Sequence, residues 1–165
     1  TEFPAVIMLV SGGHTLIAEL KDPWSYRLLG STRDDSVGES YDKVARMLGL
    51  GMPGGPAIDR AAQAGTPVLR LPRPMKNDAY EFSFSGLKSS VARHIEKHPE
   101  VSVEDMSASF VAACMDVLAA KAERAEKFAS LALQPFSHLQ RQLPKNSQLM
   151  AMLHPFWNQP EPAAE

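Results

Sequence analysis

Ser11, Gly12 and Gly13 stand between two apolar runs, Ala5 to Val10 and Thr15 to Leu20. So short a link joins two strands as a tight hairpin. Its glycines carry no Cβ, so a ligand can approach the backbone closely. The hydroxyl and the N–H groups at the mouth of the sheet make a cradle for a phosphate or a carboxylate. The same residues also serve as a bare turn, and the pattern alone does not separate the two readings.

Three further segments carry backbone N–H groups, a hydroxyl or a charge where one element gives way to the next. They are Gly38-Glu39-Ser40-Tyr41-Asp42-Lys43, Pro53-Gly54-Gly55-Pro56 and Phe82-Ser83-Phe84-Ser85-Gly86-Leu87-Lys88. Helix N-termini behind Gly55 and Ser85 would be ready anion sites. Asp42, beside apolar Tyr41, could accept two ribose hydroxyls or sit on a solvated face with Lys43. Asp59 falls in the first turn of a helix, where it either stabilises the dipole or contacts a ribose. Lys88 also falls in a first helical turn, an unfavourable place for a cation, which points to an anion or carboxylate nearby.

Other reactive types carry less. Arg70, Arg73 and Lys76 form a basic loop, either solvated or on a phosphate backbone. His14 has no second ligand at metal spacing, and His94 and His98 are i, i+4 with no third partner. Cys114, the single cysteine, sits among Val111, Ala112 and Leu118 as a small buried hydrophobe.

The elements that position these groups follow from periodicity. Ala5–Val10, Thr15–Leu20 and Tyr26–Leu29 read as an antiparallel meander, with a turn at Asp22-Pro23-Trp24-Ser25. Val37, Tyr41, Val44, Ala45 and Leu48 line one helix face. Asp34 and Asp35 precede that helix, and Gly49 and Gly51 bracket its end. Pro56 suits the first position of a second helix running from Ala57 to about Ala64. Residues 65–84 form a long connection. Ser85 is a candidate cap for a third helix with Leu87, Val91 and Ile95 on one face, stopped by His98-Pro99. Ser102-Val103-Glu104-Asp105 matches a capping box, and the helix behind it should reach about Glu126. Residues 131–165, broken by Pro135, Pro144, Pro155, Pro160 and Pro162, read as poorly ordered or loosely docked, with at most one short helix.

The 165 residues suit one domain, or a domain with a tail, and 44% apolar content suits a globular chain. A net charge of −2 supplies no global field for a polyanion, so any nucleic-acid contact must be local or shared with a partner. One cysteine excludes an internal disulfide framework and fits a reducing compartment. No apolar run approaches the ~18–20 residues of a membrane span, and no signal peptide is visible. The chain opens on Thr1 without a methionine and enters a strand almost at once, which reads as the interior of a longer protein.

Taken in order, Leu9-Val-Ser-Gly-Gly-His-Thr, Asp34-Asp-Ser-Val-Gly-Glu-Ser-Tyr-Asp-Lys-Val-Ala-Arg-Met-Leu-Gly-Leu, Pro53-Gly-Gly-Pro and Phe82-Ser-Phe-Ser-Gly-Leu-Lys resemble the TsaD family of tRNA threonylcarbamoyladenosine biosynthesis proteins. The family was formerly called O-sialoglycoprotein endopeptidase. The resemblance covers about residues 4 to 126, the middle of the family's chain. It implies a partial α/β fold of the actin-like ATPase, ribonuclease-H-like type, here an antiparallel meander followed by helices. On that basis residues 1–127 are the central part of the domain and 128–165 a divergent, poorly ordered tail.

The implied activity is transfer of the threonylcarbamoyl group from threonylcarbamoyl-adenylate to N6 of the adenosine beside the anticodon of tRNA. The implied partners are tRNA, a TsaB-type paralogue and a TsaE-type ATPase, in the cytoplasm and away from membranes. Carried over by motif, Leu9, Val10, Ser11, Gly12 and Gly13 would line the adenylate site. Asp42, Gly55 and Asp59 would contact the nucleotide. No side chain here is assigned a catalytic role. The family also implies one divalent metal, iron or zinc. Its ligands are a His-x-x-x-His pair upstream of the first strand and an Asp in a Thr-Asp-Asn-Gly stretch. This chain starts after the first, and neither the second nor the family's Ala-Gly-Gly-Val-Ala-Ala-Asn segment appears in it, so the resemblance implies much of the nucleotide cradle without the metal ligands, and a chain inactive alone. Competing readings are a non-catalytic, paralogue-like interaction module, the older metalloglycoprotease label and an actin-fold sugar kinase.

Overall fold

A computed structural model of the chain describes residues 3–132. The expectations for the tail beyond Ala132 lie outside the described residues.

Short runs of apolar residues joined by tight turns build three strands, β1 (Ala5–Val10), β2 (Thr15–Asp22) and β3 (Ser25–Ser31), paired antiparallel in the order β1-β2-β3. Leu9 faces Leu16 and Val10 faces Thr15 across the first hairpin. Asp22 shapes the second turn, its Oδ1 accepting from the N–H groups of Trp24 (2.8 Å) and Ser25 (2.9 Å), as short polar side chains do in Asx-turns. β2 is the central strand, and Thr15, Ile17, Ala18 and Glu19 are buried. Glu19 is paired with Arg27 of β3 at 2.9 Å, which compensates its burial. The face that Ala18 shares with its cross-strand partners Ile7 and Leu28 also carries Leu9 and Tyr26, and Ile7, Leu9, Tyr26 and Leu28 are exposed.

Four helices follow: α1 (Val37–Met47), α2 (Gly54–Ala64), α3 (Ser85–Lys97) and α4 (Val103–Ala132). α1 packs Val37, Tyr41, Val44 and Ala45 inward, at the spacing its sequence predicts. α4 crosses the core with Met106, Phe110, Ala113, Cys114 and Val117 buried. Phe110 meets Tyr41 edge-on, ring centroids 4.9 Å apart at 66°, a geometry the ring quadrupoles favour. Burial pushes the Cys114 thiol pKa up, so it is a packing residue.

Three boundaries depart from the periodicity. α2 begins at Gly54, not Ala57, with Pro53 in the N-cap position. Pro56 is therefore the third helical residue, still within the turn whose N–H groups have no helical partner. α4 runs to Ala132 rather than Glu126, through a stretch rich in Ala, Glu and Lys that favours helix. Ser85 does not cap α3. Phe84 holds the N-cap position without a side-chain bond, and the cap comes from a distant carboxylate described below. Ser102 does cap α4 as expected, its Oγ accepting from the Asp105 N–H at 3.0 Å.

The connection over residues 65–84 is extended but pinned along α4. The Thr66 N–H donates to Asp105 Oδ1 (2.7 Å), and the Leu69 N–H to Ser109 Oγ (3.1 Å). Arg73 pairs with Asp116 at 2.9 Å and donates to the Leu71 carbonyl. Of the basic loop, Arg73 is therefore spent internally, while Arg70 is exposed. Lys121, fully buried, donates to the carbonyls of Met75, Asp78 and Ala79. Its ammonium lies 5.9 Å from the Phe82 ring centroid. Burial, helped by the neighbouring Arg124 cation, lowers the Lys121 pKa.

Candidate functional site

The hairpin turn is docked onto the start of α1 by three hydrogen bonds. Ser36 Oγ donates to the Gly12 carbonyl (2.6 Å), the Gly38 N–H to the Ser11 carbonyl (3.3 Å), and the Val37 N–H to Thr15 Oγ1 (2.9 Å). Ser36 is also the N-cap of α1, accepting from the Glu39 N–H. Gly38 must be glycine for this fit, because a Cβ there would lie 2.6 Å from the Ser11 carbonyl oxygen.

Within the turn, Ser11 organises its own neighbours. Its Oγ accepts from the N–H groups of Gly13 (3.3 Å) and His14 (2.9 Å), and the Ser11 N–H donates to the His14 carbonyl (2.8 Å). The amides of Ser11, Gly13 and His14 are thus all tied up within the turn. The Gly12 N–H has no partner among the described residues, and nothing lies within 4 Å of where a Gly12 Cβ would stand.

α2 meets this turn with its N-terminus. The Gly54 N–H donates to Asp42 Oδ1 at 2.8 Å, so Asp42 of α1 caps α2 from outside it. The contact is close: a Cβ on Gly54 would be 2.5 Å from Asp42 Cα. Pro56 has no N–H, so the Gly55 N–H is the remaining orphan donor of the first turn. Val10, Ser11, Gly12, Gly38, Asp42, Pro53, Gly55 and Pro56 together line a cleft of about 250 Å³. Its lining carries the N–H groups of Gly12 and Gly55, neither with a partner among the described residues, the positive end of a helix dipole, and Asp42, whose Oδ1 accepts from the Gly54 N–H.

Of the residues singled out from the sequence, Val10, Ser11, Gly12, Asp42 and Gly55 come together in this cleft. Leu9, Gly13 and Asp59 are not part of its wall. Leu9 points to the exposed sheet face, Gly13 is at the turn, and Asp59 is exposed on α2, its Oδ2 accepting from Gln63 Nε2 at 3.1 Å. Gly38, Pro53 and Pro56 are added to the lining. A glycine in the first turn of an otherwise regular helix was the sequence signal for Gly38.

The start of α3 is not open to an anion. Asp34 fills it: Oδ1 accepts from the N–H groups of Phe84 (2.8 Å) and Ser85 (3.3 Å), and Oδ2 from the hydroxyls of Ser83 (2.5 Å) and Ser85 (2.7 Å). The expectation of a ready anion site there is corrected on this ground, since the protein supplies the anion itself. Desolvation raises the Asp34 pKa, but these hydrogen bonds outweigh it and the net shift is downward. Asp35 lies between Lys43 (2.7 Å) and Lys88 (3.1 Å). Desolvation opposes its ionisation too, and the two ammonium groups prevail, lowering its pKa. This is the carboxylate that the position of Lys88 called for. Hydrogen bonds to Asp35 and Glu39 raise the Lys43 pKa in turn.

Among the described residues no three His, Cys, Asp or Glu side chains converge as a metal site. They do not fit the family's metal. No described helix is long and apolar enough to cross a membrane.

A family model described as TsaD, tRNA N6-adenosine threonylcarbamoyltransferase, matches residues 1–156, past about residue 126, where the motif resemblance ends. Relatives bearing the name tRNA N6-adenosine threonylcarbamoyltransferase include one from Kosmotoga olearia, 46% identical over 127 residues, which are 76% of this chain and 38% of the relative. One from Dehalococcoides mccartyi is 52% identical over 120 residues, 73% of this chain and 37% of the relative. One from Bacillus anthracis is 47% identical over 129 residues, 75% of this chain and 38% of the relative. The chain thus spans a little over a third of the length of these relatives. With a family model matching nearly its whole length, the chain belongs to the TsaD family.

Proposed function

We propose that this chain is the nucleotide-cradling part of a tRNA N6-adenosine threonylcarbamoyltransferase of the actin-like ATPase fold. Residues 1–127 form the central portion of that domain, with 128–165 as a divergent tail. The substrate is threonylcarbamoyl-adenylate. The N6 amine of the tRNA adenosine attacks the carbamoyl carbon, the bond from that carbon to the adenylate phosphate oxygen breaks, and AMP leaves. The amine proton passes to solvent, with no base in this chain assigned to it.

The observation that carries this reading is one cleft lined by Gly12 and Gly55, whose N–H groups have no partner among the described residues, and by Asp42, of which Oδ1 alone is engaged by the Gly54 N–H. The N–H groups would hold the phosphate, and the Asp42 oxygen would accept from a ribose hydroxyl. Val10, Ser11 and Gly13 shape the turn, while Leu9 and Asp59, outside the cleft wall, carry no part of this reading. Such contacts position the leaving group; the metal, iron or zinc, belongs to segments of the family outside this chain. Partners are tRNA, a TsaB-type paralogue and a TsaE-type ATPase, in the cytoplasm. The chain alone is inactive in transfer.

Calorimetric titration of the 165-residue chain with AMP and with a stable threonylcarbamoyl-adenylate analogue tests this. Binding that Gly12→Ala weakens by about tenfold supports it, since the added methyl enters the cleft without meeting protein atoms. Absence of binding at millimolar ligand would overturn it.

A further inference from the structure

We propose that His94 and His98, at the C-terminal end of α3, form a two-histidine site for a borderline divalent cation such as Zn²⁺. The two residues are four apart, His94 in the last turn and His98 at the C-cap, so their side chains share one face. Their ring centroids are 5.8 Å apart, with the planes tilted by 34°. Metal–nitrogen bonds of ~2.0–2.1 Å at a tetrahedral angle place two imidazole centres roughly 5 Å apart. A small rotation of the exposed His98 ring supplies the difference.

The hydrogen bonding of the rings matches the chemistry. His94 Nδ1 lies 2.8 Å from the Ser90 carbonyl, and His98 Nδ1 lies 3.1 Å from Glu100 Oε1. A carbonyl and an ionised carboxylate only accept, so each neutral ring carries its proton on Nδ1 and keeps its lone pair on Nε2. Neither Nε2 has a partner among the described residues. A ring N–H tied to a carbonyl or carboxylate is the outer support that metal-bound histidines have. The negative end of the α3 dipole also favours a cation there. Since no third protein ligand converges, water completes the coordination and the ion exchanges freely. This site owes nothing to the nucleotide cleft.

The test is titration of the full 165-residue chain with zinc chloride at neutral pH, followed by calorimetry and by ¹⁵N imidazole resonances. One equivalent should bind, shifting the Nε2 signals of His94 and His98. His94→Ala and His98→Ala should each weaken binding by about tenfold or more. A variant with His14, His138 and His154 all replaced by Ala should bind as before. Unshifted His94 and His98 Nε2 signals at millimolar zinc, or unchanged affinity in the His94→Ala/His98→Ala double variant, would overturn the proposal. The resonance measurement needs no variant, so it decides the matter even where a substitution perturbs the helix end.

Discussion

Asp42 of α1 and Gly54 of α2 are joined by a 2.8 Å hydrogen bond that makes the side chain of one helix the cap of the next. One carboxylate oxygen holds the architecture, and the other accepts no hydrogen bond among the described residues. Stability and binding can therefore be separated at this single residue. Asp42→Ala should cost about 1 kcal/mol, the usual loss for a missing cap. Asp42→Asn keeps a carbonyl oxygen for the Gly54 N–H and should lose less than half of that. Both should weaken adenylate binding. Urea denaturation alongside calorimetry checks the split, and equal loss of stability in the two variants would contradict it.

Gly38→Ala is expected to be costly although the residue is helical. The added Cβ would be 2.6 Å from the Ser11 carbonyl and 2.7 Å from Gly12 Cα, both backbone atoms that cannot swing aside. Relief requires lifting the hairpin turn off α1, at about 1–3 kcal/mol. The Gly12 and His14 amide resonances should move with it. Wild-type stability in urea would show that the turn accommodates the methyl.

Lys121→Met should destabilise by about 1–2 kcal/mol, because it removes the buried ammonium's bonds to the Met75, Asp78 and Ala79 carbonyls, which keep the Asp78 N–H and the Arg124 guanidinium as their remaining donors. The loss should be local first. Limited proteolysis ought to cut within residues 75–79 of the variant at protease levels that spare the parent.

Acid should loosen the α1–α3 junction. Asp34 and Asp35 both have folded pKa values below the ordinary 3.8. Their contribution is therefore complete above that value and fades as pH falls through the folded values. Stability measured in urea should be insensitive to these two groups from about pH 5 to 7 and drop below about pH 4. Asp35→Asn should cost about 1–2 kcal/mol at neutral pH, between the values for exposed and buried pairs, and should flatten the acid limb. An acid limb as steep as the parent's would assign the effect elsewhere.

Much of this molecule was legible in its residues. Short apolar runs on either side of Ser11-Gly12-Gly13 marked β1 and β2, and the face Val37, Tyr41, Val44, Ala45 marked α1, because burial on one side imposes that spacing whatever the fold around it. Ser102 was legible as a cap because its partner, the Asp105 N–H, is three residues away. The turns at Ser11–Gly13 and Pro53–Pro56 were legible as candidate cradles through their glycines. What local pattern could not determine was which carboxylate serves which helix. Asp34 and Asp35 precede α1 in the chain, yet Asp34 caps α3, some 50 residues away, and Asp35 holds Lys88 of the same helix. Ser85 could not be the cap because its hydroxyl donates to Asp34. Nor could spacing say that Asp59 faces solvent while Gly38 and Pro53 line the cleft. Hydrogen-bond partners close in sequence are dictated by the chain itself; partners brought together by packing exist only once the helices have docked, and the cleft is made almost entirely of the second kind.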